Sequence, residues 1–257
     1  MTELMNLVRP VQDMLWLYGF VFLRLSAMMA LLPLFGERSV PVRVRLGVTF
    51  AFCLVVSPVV APLVDQPATF EGAIAAGGAE VVTGLVFGAL LRFFIFALQV
   101  AGTIAAQSTS LSQIFGGSAG VDPQPAIGHV LVVAGLALAA LMGLHLAVAE
   151  YMINSYALVA FGRLLPGADF AEIGAKATTR AFTLGFTLAA PFVIASLLYN
   201  VILGVINKAM PQLMVSFVGA PAITAGGLLI LCLTTPLILS VWVEAFGHAM
   251  ASPGADF

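Results

Sequence analysis

The sequence predicts an all-α protein made of hydrophobic helices of the membrane-spanning type. Of its 257 residues, 61% are hydrophobic and 9% are charged, and the mean hydropathy is +1.10. A soluble domain usually has about a quarter charged residues, so the 10 basic and 12 acidic side chains are too few to cover a water-facing surface. The apolar residues form six blocks that are each long enough to be a membrane helix: 14–35, 46–64, 73–106, 126–161, 181–206 and 213–246.

The first block predicts a helix that stays in the protein rather than a cleavable signal peptide. Glu3, Arg9 and Asp13 provide no positively charged leader, and Arg24 interrupts the apolar run. Nearly all of the chain that follows is apolar, so we expect no soluble domain.

The later blocks conflict with a simple six-span topology. If the basic segment 36–45 is cytoplasmic, strict alternation places 107–125, which has no Lys or Arg, on the same side and the basic segment 163–180 outside. Blocks 73–106 and 126–161 are about 35 residues long, near 50 Å of helix, whereas one crossing needs ~30 Å. Either these blocks are bent, or not every helix crosses lipid.

Prolines inside or beside the apolar blocks predict kinks, since proline removes an intrahelical hydrogen bond. The kinks could border a transport site or only shape the helix bundle, and the sequence leaves both open. They lie at Pro33, Pro58, Pro62, Pro191, Pro221 and Pro236.

Small residues at four-residue spacing predict faces where helices approach closely. The longest row is Gly135, Ala139, Gly143 and Ala147, which we expect to form one continuous packing face. Shorter rows are Gly84 with Gly88, and Ala97, Ala101 and Ala105. The partner of each face, in this chain or another, stays open.

Four charged residues lie within or at the edges of apolar blocks: Arg24, Glu80, Arg92 and Glu150. A charge in the bilayer interior is costly, so each should face protein or water and have a partner. One hypothesis is that the two bases and two acids form structural ion pairs between helices or subunits. The other is that they line a proton or ion pathway.

Enzyme activity, cofactors and metal ions are not expected. The three histidines, His129, His145 and His248, are not spaced as metal ligands, and the two cysteines lie in apolar runs. The sequence contains neither an HExxH metalloprotease motif nor a phosphate-binding glycine loop. The net charge of −2 also argues against nucleic-acid binding.

The segment 107–125 differs from the apolar blocks on either side because it mixes glycines and hydroxyl-bearing residues with a few apolar residues. It could be a flexible plug or constriction, or only a connector. The residues that suggest a plug are Leu111, Ile114, Phe115, Gly116 and Gly117.

Several motifs resemble the FliR/SctT family of type III export-gate subunits. They are PLFGERSVPVRVRLG at 33–47, AAQSTSLSQIF with VDPQ at 105–124, GLHL at 143–146, NSY at 154–156, LPGA at 165–168, and APFVIASLLYNVILGVINKAMPQLMVSFVG at 190–219. The resemblance covers nearly the whole chain, and the N-terminal GERSVP motif favours the flagellar branch over the virulence injectisome.

The resemblance implies one export-gate domain over 1–257, made of kinked helical hairpins, with a FliP-like part (1–180) and a FliQ-like part (181–257). It implies assembly with FliP-like and FliQ-like subunits, and contact with FlhB-like and FlhA-like export proteins. The complex would pass unfolded flagellar proteins through the bacterial inner membrane at the flagellar basal body. The family's plug maps onto 111–117, with Phe115 as the bulky element. The alternatives are an injectisome subunit and a small-solute or proton carrier.

Overall fold

All secondary structure that the computed structural model describes is helical, as predicted. The described residues are 2–65, 67, 69–109, 126–210 and 215–251, with the side chains of 2–10 and 215–221 left aside. The helices are α1 (Thr2–Leu31), α2 (Val42–Val60), α3 (Phe70–Ser108), α4 (Ala126–Leu141), α5 (Leu144–Leu158), α6 (Gly167–Ala209) and α7 (Val215–Ala251). A single 3₁₀ turn, Ala61–Leu63, follows α2 directly.

Five of these helices contain segments long and apolar enough to cross a membrane: Val11–Leu31, Val42–Leu63, Phe70–Ser108, Gly167–Ala209 and Ala222–Ala251. The pair α4 and α5 makes a sixth candidate if it is counted as one bent span. In the described part of the chain, five of the six apolar blocks are therefore helices of membrane-span type, and block 126–161 is a sixth only if its bent pair counts as one span.

The two longest central blocks behave differently. Block 73–106 is part of one uninterrupted helix of 39 residues, which is roughly 58 Å long and far exceeds a ~30 Å crossing. Block 126–161 is broken, because α4 and α5 meet at an angle of 82°. Gly143, in the left-handed region with φ +85°, forms the corner, and a residue without Cβ adopts this conformation without steric cost.

The contacts divide the chain into two units that are interleaved in sequence. One unit contains Met1–Phe93, Ala140–Ala177 and Phe246–Phe257. The other contains Phe94–Ala139 and Thr178–Ala245. The long helices α3, α6 and α7 each supply residues to both units.

In the first unit, α1 packs closely against α3 through glycines. A Cβ atom at Gly84 would collide with the backbone of Arg24 and lie 2.9 Å from the Cβ of Ala27. A Cβ at Gly88 would lie 2.6 Å from the carbonyl oxygen of Met28. Gly84 and Gly88, which form a GxxxG motif in the sequence, therefore face α1 of the same chain. They allow the α1 and α3 backbones to approach closely.

The second unit is organised around Trp242 of α7, whose side chain is fully buried. Its indole N–H donates a 2.8 Å hydrogen bond to the carbonyl oxygen of Phe94. Gly135 of α4 lies beside the indole, and a Cβ there would be 2.8 Å from Leu98. Gly102 and Gly128 also meet so closely that a Cβ at Gly102 would overlap the Gly128 backbone.

Burial differs sharply among helices of similar hydropathy. Over half of the most apolar window of α3 is buried, 56%, compared with 11% for α6 and for α7. Large side chains such as Phe186, Leu197 and Leu233 are 60–70% exposed. The chain by itself therefore covers over half of the most apolar window of α3 and leaves most of the corresponding windows of α6 and α7 uncovered.

Replacing Gly84 by alanine should destabilise the protein, whereas the same change at Gly78 should not. Both glycines lie on α3, but a Cβ at Gly78 has nothing within 4 Å. Forced overpacking typically costs about 1–3 kcal/mol, while Gly→Ala in an open helix position gains up to about 1 kcal/mol. Thermal unfolding of the two detergent-purified variants measures the difference. Equal midpoints would contradict the close α1–α3 contact.

Candidate functional site

Arg24 of α1 and Glu80 of α3 form an ion pair in the interior of the first unit. Both side chains are fully buried. The guanidinium Nε and Nη2 atoms donate to the two carboxylate oxygens at 2.7 and 2.8 Å. Parallel N–H···O bonds of this kind fix the orientation of both groups as well as adding energy.

The remaining hydrogen-bond donors of Arg24 point to the end of α5. Its Nη1 atom donates to the carbonyl oxygens of Ser155 and Val159, and Nη2 also reaches that of Val159, all at 3.1 Å. With the bonds to Glu80, each of the five guanidinium N–H groups has an acceptor. A cation also suits a helix C-terminus, where carbonyl groups lack intrahelical partners.

Two further groups close the site around the ion pair. The guanidinium carbon of Arg24 lies 3.7 Å from the centre of the Tyr156 ring, a favourable cation–π distance. The backbone N–H of Gly162 donates to the Glu80 carboxylate at 3.0 Å. Gly162 has φ +69°, a backbone conformation that favours glycine. The site joins α1, α3, α5 and the loop after α5.

Arg92 pairs with a residue that the sequence analysis did not single out. Its Nη1 atom lies 2.5 Å from a carboxylate oxygen of Glu37, and both side chains are about one-fifth exposed. Arg45 donates to the carbonyl oxygens of Phe35 and Glu37 at 2.9 and 3.1 Å. Two arginines therefore hold the segment between α1 and α2, which includes the GERSVP motif.

Glu150 lies at the surface of the single chain, although the sequence places it within an apolar block. The inward face of α5 is formed by Leu144, Val148, Tyr151 and Ser155, and the helical period places residue 150 away from it. Of the four charges singled out, the structure brings Arg24 and Glu80 together. Arg92 pairs instead with Glu37, and Glu150 lies at the surface.

The row Gly135, Ala139, Gly143 and Ala147 is not one continuous packing face. Gly135 and Ala139 are buried on α4, but the row ends where the chain turns at Gly143. A Cβ at Gly143 would meet nothing within 4 Å. A bulky residue there would strain a positive-φ backbone rather than block a helix contact.

The five residues expected to form a plug lie outside the described residues. The helices that flank this segment end at Ser108 and resume at Ala126. Thr109, just before it, is buried and donates its hydroxyl to the carbonyl oxygen of Ala105. Within the residues that are described, no group of His, Cys, Asp or Glu is arranged to hold a metal ion.

Buried aromatic hydroxyl and indole groups were missed by sequence reasoning. The Tyr151 hydroxyl donates to the carbonyl oxygen of Phe87 at 2.9 Å, just as Trp242 does to Phe94. Large polar-tipped rings inside apolar helices are a usable signal, because a buried O–H or N–H needs an acceptor. Their acceptors are backbone atoms, which a sequence does not mark.

The fold defines a helical protein of the membrane-span type, in which the buried charges of Arg24 and Glu80 bond to each other and to backbone groups of the same chain. Residues 15–249 match the family model described as "Bacterial export proteins, family 1". The chain therefore belongs to this family of bacterial export proteins.

Several relatives are similar to the chain over most of their length. The flagellar biosynthetic protein FliR of Caulobacter vibrioides is 31% identical over 89% of this chain and 92% of the relative. FliR of Bacillus subtilis is 26% identical over 97% of this chain and 100% of its own. FliR of Escherichia coli is 26% identical over 86% of this chain and 85% of the relative.

Replacing Glu80 by glutamine should strongly destabilise the protein, because it leaves the buried Arg24 cation without its counter-charge. Removing one member of a buried pair costs about 3–5 kcal/mol. The apolar double variant Arg24→Met with Glu80→Leu should lose less, and thermal unfolding in detergent compares them.

The charge-swapped variant, Arg24→Glu with Glu80→Arg, provides a further test. It should recover little stability, since a carboxylate at position 24 would face the carbonyl oxygens of Ser155 and Val159. Glu150→Gln at the exposed position serves as the control. Unchanged unfolding of Glu80→Gln would show that the pair does not stabilise the fold.

Proposed function

We propose that this chain is a non-enzymatic subunit of the flagellar type III protein-export gate. It would assemble with FliP-like and FliQ-like subunits into the pore for unfolded flagellar proteins. The family match over 15–249 is the main support. The relatives reported above, all flagellar FliR proteins, are matched over at least 85% of their length.

The distribution of apolar surface agrees with a subunit that is completed by other chains. The apolar windows of α6 and α7 are 11% buried within the chain, while α3 is too long for a single lipid crossing. Neighbouring subunits would cover the apolar surfaces of α6 and α7 that this chain leaves exposed, and the part of α3 that extends beyond a bilayer. We place the assembled gate in the bacterial inner membrane at the flagellar basal body, in contact with FlhB-like and FlhA-like proteins.

A small-solute or proton carrier is the competing function. A carrier needs charged groups accessible to its cargo, whereas Arg24 and Glu80 are fully buried and hydrogen-bonded. An injectisome subunit would share the fold and differ only in the proteins exported.

Co-expression with FliP-like and FliQ-like chains should yield a stable hetero-complex, and expression alone should yield aggregated protein. Within the complex, Leu197→Gln should reduce recovery several-fold, because it places an amide on an apolar surface that is 64% exposed in the single chain. Lys176→Gln on the same helix is the matched control, since its exposed ion pair with Glu172 contributes little. Affinity purification followed by mass determination measures both. A chain that transports solutes alone in vesicles would instead favour the carrier.

Deleting 111–117 should leave the complex assembled but leaky to small ions. We propose that Phe115 closes the pore as an apolar plug, since apolar constrictions exclude water and ions. Phe115→Ala should leak less than the deletion, and Gly117→Val should reduce export without a leak. Ser112→Ala is the control within the same segment. Conductance in planar bilayers decides, and an unchanged closed state in the deletion would identify the segment as a connector.

A further inference from the structure

We infer that a cavity between residues 13–20 of α1 and the segment that follows α2 binds a lysine or arginine side chain of a partner protein. The cavity has a volume of about 240 Å³. Its lining residues all lie in the first unit: Asp13, Met14, Trp16, Leu17, Phe20, Ala61, Val64 and Asp65.

The lining combines an aromatic wall with two carboxylates. Trp16 and Phe20 stack with ring centres 5.4 Å apart and planes 16° from parallel. Asp13 and Asp65 are exposed residues, and neither has an ion pair within the part of the chain that the structure describes. Among the lining residues whose side chains the structure describes, none is basic.

This composition matches a long basic side chain. Its methylene groups can lie on the apolar wall while its charged end reaches the carboxylates. A cation near an indole face gains a further electrostatic attraction. The volume is below the roughly 300–1,000 Å³ of sites for drug-sized ligands, so it suits one side chain rather than a cofactor.

The cavity lies where a charged side chain of a partner can reach it. The apolar segment of α1 begins at Val11 and that of α2 ends at Leu63. Asp13 and Asp65 therefore lie at the same boundary of the apolar region, where a cationic side chain arrives from water without crossing lipid.

Neighbouring surface favours a protein as the source of the cation. Val11, Met14 and Leu15 are 59%, 56% and 70% exposed. A free polyamine would leave these side chains uncovered, whereas a docked polypeptide buries them together with its basic residue. The inference rests on the proposed function only in taking the partner from the assembled gate.

The experiment uses the full chain, tagged and co-expressed with its FliP-like and FliQ-like neighbours. The double variant Asp13→Asn with Asp65→Asn should reduce recovery of at least one co-expressed chain by about fivefold or more, since two charge contacts are lost. Asp13→Glu with Asp65→Glu should restore most of the recovery because it keeps both charges. Asp169→Asn, an exposed carboxylate on α6, is the control and should change nothing.

A zero-length carbodiimide cross-link tests the source of the cation. A lysine amine of a partner chain joined to Asp13 or Asp65, and lost in the Asn variant, supports the proposal. An aminophospholipid adduct as the main product would overturn it. So would unchanged recovery of the Asn variant, or loss that the Glu variant does not repair. If the wild-type chain and the Asn variant both retain their partners, the proposed binding site is wrong while the export-gate function stands. If the wild-type chain retains no partner, the proposed export-gate function is wrong.

Discussion

A guanidinium and a carboxylate inside an apolar interior are stable only when every donor and acceptor has a partner, and this requirement organises the first unit. Arg24 and Glu80 meet it with groups from three helices and a loop. The donors of Arg24 reach the carbonyl oxygens of Ser155 and Val159 at the end of α5, and the Glu80 carboxylate accepts from the N–H of Gly162. The glycines of α3 are part of the same arrangement, since only a close α1–α3 approach lets the two side chains meet so directly.

Composition and apolar blocks were sufficient to predict the all-α fold, because both follow from lipid-like burial over long stretches. They were also sufficient to select Arg24 and Glu80, whose charge stands out in an apolar run. Which partner each charge takes could not be predicted. Glu37 lies in a polar segment where a glutamate is unremarkable, yet it pairs with Arg92. A bend in block 126–161 was one of the two possibilities that its length left open. Its position at Gly143 was not predicted, because the spacing of small residues continues through Gly143 although the helix turns there.

Hydropathy predicts that a helix avoids water but not what covers it. The apolar windows of α3 and α6 have nearly the same mean hydropathy, 2.3 and 2.1, but 56% and 11% of them are buried. Close approaches at Gly84 and Gly102 contribute to the burial of α3. Sequence marks these small residues, but a contact needs two of them brought together by distant parts of the chain.

The interleaving of the two units has a consequence for biosynthesis. A ribosome delivers the chain from its N-terminus, yet the first unit includes Phe246–Phe257, where Phe246 and Ala249 are fully or almost fully buried. Neither unit can be completed from a continuous stretch of nascent chain. The first unit therefore becomes complete only after the last turn of α7 is synthesised. A chaperone or insertase that shields its unfilled apolar surface during that interval would protect the protein from premature association.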